Sequence, residues 1–219
     1  MDLPSDLLPA ALHWMGHLIF WSIVGLTLWR ARHTWATLRH PHVLFGGCVA
    51  VLILWQIKGA VPPAPPVHLL GATLLTLVCG WRFALVGLCA VLAGHTLNGA
   101  AGWASFGVNG LMSVALPVFV SFWLAHLVRR RLPANLFVYV FIAGFAGAAA
   151  AMGVVGLASG ALLAGASPLD WSAVVHGHLT SYLLLLFPEA FLTGMVLTLL
   201  VVFYPDWVAT YDARYEGRA

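Results

Sequence analysis

The sequence predicts an all-α integral membrane protein, a polytopic bundle of about seven transmembrane helices forming a single transmembrane domain over residues 1–219. Hydrophobic residues make up 62% of the chain and charged residues 8%, and the mean hydropathy is +0.95. A soluble domain carries about 25% charged residues. At ~20 residues per spanning helix, six or seven spans use about two thirds of the chain and leave only short loops. The apolar runs are also punctuated at regular intervals by arginine, proline or glycine clusters. Disorder, collagen, coiled coil, a disulfide scaffold and a separate soluble catalytic domain are excluded. A net charge of +3 and a pI near 9.0 suggest no nucleic-acid partner.

The elements follow in order. The first span runs from about Leu7 to Trp29 and is followed by Arg30, Arg32 and Arg39. Met1 to Asp6 holds two acids and no basic segment, so no cleavable signal peptide is expected and the first span is retained. The second runs from about Val43 to Ile57 and stops at Lys58, before a VPPAPPV stretch that cannot be helical. The third is short, about Val67 to Gly80, and ends at Trp81-Arg82. The fourth runs from Phe83 to Asn98, where GAAGW turns the chain. The fifth runs from about Ala104 to Val128 and ends in Arg129-Arg130-Arg131. The sixth covers Leu136 to about Leu163, and the seventh starts near His178 and ends at Tyr204-Pro205-Asp206. Arginine-bearing and arginine-free connections alternate, with Lys58 the one mild exception. By the positive-inside rule the N-terminus lies outside and the C-terminus in the cytoplasm. Merging the third and fourth runs into one helix would put Arg129 to Arg131 outside, against that rule.

Helix six carries Gly144, Gly147, Gly153, Gly156 and Gly160 among alanines, which suits close backbone approach and offers a surface for self-association. Cys48, Cys79 and Cys89 form no CxxC pair and read as small buried hydrophobes. Trp29, Trp55, Trp81, Trp103, Trp171, Tyr204 and Trp207 sit near predicted ends, as an interfacial belt would. Met15 and Met112 read as core packing.

Ten histidines are the chemical signal. His33, His40, His42 and His126 fall at cytoplasmic ends and read as interfacial. The other six fall in the outer half: His13 and His17 on the first helix, His68 at the start of the third, His95 near the end of the fourth, His176 and His178 opening the seventh. Four helices thus bring imidazole to one depth. His13 and His17 share a helix face about 6 Å apart at Cβ, a spacing that lets two imidazoles bind one ion. Neutral imidazole suits Zn, Cu, Ni, Co and Fe rather than Mg or Ca. The metal candidates are therefore His13, His17, His68, His95 and His178. Residues two apart on a helix point to nearly opposite faces, so only one of His176 and His178 faces a site unless the segment is extended. Glu189 follows His178 by ~16 Å of helix, which puts a carboxyl near the bilayer middle. It reads as a relay, a counter-charge or a proton carrier, or else as a neutral acid bonded to a carbonyl that Pro188 frees. Asn98 and Asn109, with His176, complete the set of supporting polar groups. The chain has no GxxxxGK[ST], GxGxxG, GxSxG or HExxH. Any ATP-driven transport therefore needs another subunit, and enzymatic activity of the chain itself is not expected.

The stretch from His68 to Phe119, with its His68-Leu69-Leu70-Gly71 start, its Gly80-Trp81 turn and its Gly107-Val108-Asn109 helix, resembles the cobalt/nickel permease family of energy-coupling factor transporters, the CbiM and NikM type. Phe187-Pro188-Glu189-Ala190-Phe191-Leu192-Thr193-Gly194 resembles the family's final helix. Together these cover about a third of the chain. The resemblance implies seven spans, an outside N-terminus, nickel or cobalt as substrate, separate ATPase and coupling membrane subunits, and the plasma (inner) membrane of a prokaryote. In that family a Met-His start supplies the N-terminal ligands and a later His completes the site. His68 matches that later His. The start here is Met1-Asp2-Leu3-Pro4, and His95 stands where the family usually has Gln. The expectation is a rebuilt site in which the N-terminal ligands are gone and intramembrane imidazoles replace them. Two further readings stay open: a membrane metalloprotein that keeps its metal for redox chemistry or assembly, and a structural subunit whose histidines only hydrogen-bond.

Overall fold

A computed structural model describes residues 2–32, 34, 38, 40–62, 64–99, 102–211 and 215. His33, Arg39, Arg214 and Arg218, which entered the charge and histidine readings above, lie outside the described residues. Helix dominates, as the composition predicts. We label the helices α1 (Ala10–Ala31), α2 (Pro41–Leu54), α3 (Ala72–Cys79), α4 (Trp81–Leu97), α5 (Trp103–Arg131), α6 (Leu136–Ala166) and α7 (Ala173–Phe203). Four of them, α1, α5, α6 and α7, are long and apolar enough to cross a bilayer, and α2 and α4 are shorter apolar helices. Their outer surfaces carry exposed large apolar side chains such as Trp14, Leu18, Phe45, Ile53, Leu183 and Phe187, which only a lipid surrounding accommodates in such numbers.

Two boundaries differ most from the sequence reading. The third helix begins at Ala72, not near Val67, and His68 sits instead in a short strand, β2 (Val67–His68), paired antiparallel with β1 (Lys58–Gly59). Pro65 and Pro66 withhold two backbone donors ahead of β2, and Gly71 at φ +65° breaks the chain direction before α3. The seventh helix begins at Ala173, one turn or more before the expected start.

At eight residues, α3 is ~12 Å long and cannot cross a bilayer alone. Its end groups must therefore be satisfied by protein. The Glu189 carboxylate of α7 accepts from Leu70 N at 2.7 Å and Gly71 N at 2.9 Å, just ahead of its first turn. At the other end, the segment after α7 donates from Ala209 N to Val78 O and from Thr210 N to Leu77 O. Seven of its eight residues are buried, among α2, α4, α5, α6 and α7. Gly80, at φ +83°, turns the chain so that α4 packs back on α3.

Around this centre α1 lies on α5, and α6 on α7. The α1–α5 crossing is set by Gly16 and Gly107. A Cβ on Gly107 would stand 2.3 Å from His17 N, inside contact distance. In α6, Gly144, Gly156 and Gly160 receive Leu197, Tyr182 and Leu179 of α7. The small-residue face expected to serve self-association is thus largely filled by the chain's own last helix, and of its five named glycines Gly153 faces open space.

Candidate metal centre

The site is assembled from three chain segments. The N-terminal segment, before α1, runs back against the β1–β2 loop, with Asp2 N donating to Pro66 O at 3.3 Å. Asn109 of α5 clamps the next residue on both sides. Its Oδ1 accepts from Leu3 N at 3.0 Å, and its Nδ2 donates to Leu3 O at 3.3 Å. A two-point amide clamp fixes both position and direction, so the Asp2 side chain is delivered inward.

There it meets His68 from β2 and His95 from α4. One oxygen or nitrogen from each of Asp2, His68 and His95 lies within 4.8 Å of the others, and among the described residues these form the one such group of three. All three are buried. His95 Nε2 donates to Asp2 Oδ1 at 2.9 Å, and His68 Nε2 lies 3.7 Å from the same oxygen. Lys58, directly across the β-ladder from His68, places Nζ 2.5 Å from Asp2 Oδ2. Burial by itself would raise the Asp2 pKa, but the hydrogen bonds from His95 and Lys58 oppose it and the carboxyl is held below its usual range. Burial pushes the His68 imidazole well below its ordinary pKa. Both shifts favour the forms that bind metal, a carboxylate and a neutral imidazole.

Further partners orient the imidazoles. His68 Nδ1–H donates to Leu69 O at 2.9 Å, the tautomer that turns the Nε2 lone pair toward Asp2. The Leu69–Gly71 turn is in turn anchored by Glu189 through the two N–H groups given above. Gln56 donates from Nε2 to His95 Nδ1 at 3.3 Å and to Leu52 O at 3.1 Å, while its Oε1 accepts from Asn98 Nδ2 at 3.1 Å. Trp55 roofs both rings, with centroids 4.5 Å from His68 and 5.4 Å from His95, and its indole N–H donates to Leu70 O.

The other predicted site residues go elsewhere. His13 donates from Nε2 to Ser5 O at 3.1 Å and His17 from Nε2 to Ala104 O at 3.1 Å. The His13/His17 pair ties α1 to two neighbouring segments. His178 bonds Ser159 Oγ at 2.7 Å between α6 and α7. His176 is exposed. Glu189 uses no carbonyl freed by Pro188; both of its oxygens accept from N–H donors. Trp55, read from sequence as an interfacial belt residue, is fully buried. The sequence reading missed Asp2, Lys58, Gln56 and Trp55. The signal for Asp2 was present: it occupies position two, where the resembled family carries a ligand, and a carboxylate also ligates. The N-terminal segment, from which no ligand is expected on the sequence, folds into the cluster through Asp2.

Two imidazoles and one carboxylate form a mixed N/O donor set suited to a borderline divalent transition ion. Comparison with known proteins agrees with that chemistry. The family model for the cobalt uptake substrate-specific transmembrane region, CbiM, matches residues 2–207. No match is found among curated proteins. A solved structure described as a transition metal transporter superposes with a TM-score of 0.82 at 17% identity, covering 100% of both chains. A second, described as a truncated transition metal transporter, gives 0.81 at 17% identity over 92% of this chain and 99% of the other. At that identity the two structures speak for the fold.

Proposed function

We propose that this chain, which belongs to the CbiM cobalt uptake substrate-specific transmembrane family, binds a divalent transition ion as transport substrate at Asp2, His68 and His95. Membership makes it a membrane component of transition-metal transport. The finer reading is that of the substrate-binding permease of an energy-coupling factor transporter, with separate ATPase and coupling subunits driving release inward. In this reading all seven helices belong to the membrane domain, the N-terminal segment and the β1–β2 loop face outward, and nickel or cobalt is the cargo.

The observation that carries the reading is the convergence of three buried donor side chains, from segments far apart in sequence, within 4.8 Å. Asp2 replaces the second-residue imidazole that the family resemblance implies, so the N-terminal segment still supplies a ligand. A carboxylate in place of an imidazole shifts the site toward harder ions. On binding, the ion takes the position now held by the His95 Nε2 proton. That proton moves to Nδ1, and the Gln56 amide turns its oxygen toward the ring to accept it.

The test is equilibrium dialysis of the detergent-purified protein against Ni²⁺, Co²⁺ and Zn²⁺, read by mass spectrometry of metal content. One ion per chain is expected, with binding lost in both Asp2→Asn and His68→Gln. Binding that survives both substitutions places the ion elsewhere and overturns the site. Metal that co-purifies and resists washing would mark a protein that retains its ion, against a transport role.

A further inference from the structure

We propose that Lys58 is the resident cation of the Asp2–His68–His95 cluster and that an incoming divalent ion displaces it into solvent. The inference rests on the reading of this cluster as the ion site.

A buried carboxylate left alone is strongly unfavourable. Lys58 Nζ, 2.5 Å from Asp2 Oδ2, supplies the compensating charge. Its place is built rather than incidental: β1 sets it directly opposite His68 across the ladder, and Asp2 lies between them. The four side chains differ in one respect. Those of His68 and His95 are 0% exposed and that of Asp2 is 3%, while that of Lys58 is 25% exposed. Lys58 is thus the one member of the group with substantial solvent contact.

An ammonium and a divalent ion on the same carboxylate repel each other within a few ångströms, in surroundings where screening is weak. The lysine stem has four rotatable carbons, so the ammonium can swing out without moving β1. Binding is then an exchange, with one ammonium leaving and one ion arriving. The cluster gains one net charge instead of two, and the exchange lowers the affinity of a site that must also release its ion.

Lys58 is the sole lysine in the sequence, which makes the exchange directly readable. The full-length protein is treated with an amine-reactive acylating reagent, with and without Ni²⁺ at a concentration shown by dialysis to saturate it, and the Lys58 peptide is quantified by mass spectrometry. Acylation at Lys58 is expected to rise several-fold with the ion bound. Lys58→Met is expected to bind Ni²⁺ about tenfold tighter, because the competing charge is gone. Lys58→Arg, which keeps the charge and grips carboxylate with a fork, binds as the wild type or more weakly. The labelling arm uses the unaltered protein, so it stands even where Lys58→Met folds poorly. Saturating ion with unchanged or reduced labelling overturns the exchange and leaves the site intact. Absence of Ni²⁺ binding by the wild type overturns the site reading and the exchange together.

Discussion

His13 and His17 lie one helical turn apart on α1, yet among the described residues they share no partner. His68 and His95 lie on different elements and meet over one carboxylate. Each α1 imidazole donates to a backbone carbonyl, of Ser5 or of Ala104, and so fastens α1 to its surroundings. The rings of His68 and His95 stand 5.6 Å apart at their centroids, and both are oriented from behind, by Leu69 O and by Gln56. The difference teaches that helical spacing makes a shared ligand set possible but does not aim it. What aims an imidazole is the group on its second nitrogen and what stands across from its first.

The largest effect should come from the ligands themselves. His68→Gln is expected to weaken Ni²⁺ or Co²⁺ binding by more than ~100-fold, beyond the ~10–100-fold typical of a supporting residue. The paired control, His13→Gln with His17→Gln, should leave ion stoichiometry unchanged. Loss of binding in the control would break the comparison and return the α1 pair to the site.

Next comes the anchor beneath His68. Glu189→Gln exchanges one of two carboxylate acceptors for an amide donor facing an N–H group, at a cost of about 1.5–3 kcal/mol for hydrogen bonds of this charged kind. A lower thermal midpoint is expected together with affinity reduced by ~10–100-fold, since the Leu69–Gly71 turn that orients His68 is held there. Wild-type affinity in a folded Glu189→Gln protein would uncouple the anchor from the site.

Asn109→Leu should loosen the N-terminal segment while leaving the helices in place. The clamp on Leu3 is lost on both sides, and affinity should fall about tenfold, with the order of the Asp2 segment read by hydrogen exchange. The smallest effect is that of the α1 histidines on stability. Each single substitution removes one hydrogen bond, worth about 1 kcal/mol, measurable as a small shift in thermal midpoint. A much larger effect is expected at the same crossing from Gly107→Ala, whose Cβ would strike the backbone of His17 at 2.3 Å.

Much of the fold was legible in the chain. The order of the helices and their breaks at Arg131, Gly80 and the proline stretch follow from apolar runs and from residues that stop helices. Asn98 and Asn109 were readable as supporting groups because an amide inside an apolar run requires partners. Glu189 was readable as functional for the same reason, but not as an anchor for α3. Its partners are two backbone N–H groups ahead of that helix, and backbone donors leave no mark in a sequence. Trp55 was misread because interfacial and buried tryptophans have the same local neighbourhood in sequence, and only the positions of β2 and α4 bring His68 and His95 against its ring.

Composition and spacing alone establish that the chain lives in a membrane, where its helices break, and which side chains are costly enough to demand a reason. Composition and one-dimensional spacing suffice for these because lipid penalises every unpaired polar group alike. Tertiary structure alone decided which of those side chains meet. Asp2, Lys58, His68 and His95 come from the N-terminal segment, two facing strands and a helix. Their meeting depends on a clamp at Asn109, a turn at Gly71 and an anchor at Glu189, and such long-range contacts are fixed by three-dimensional closure rather than by any local preference of the chain.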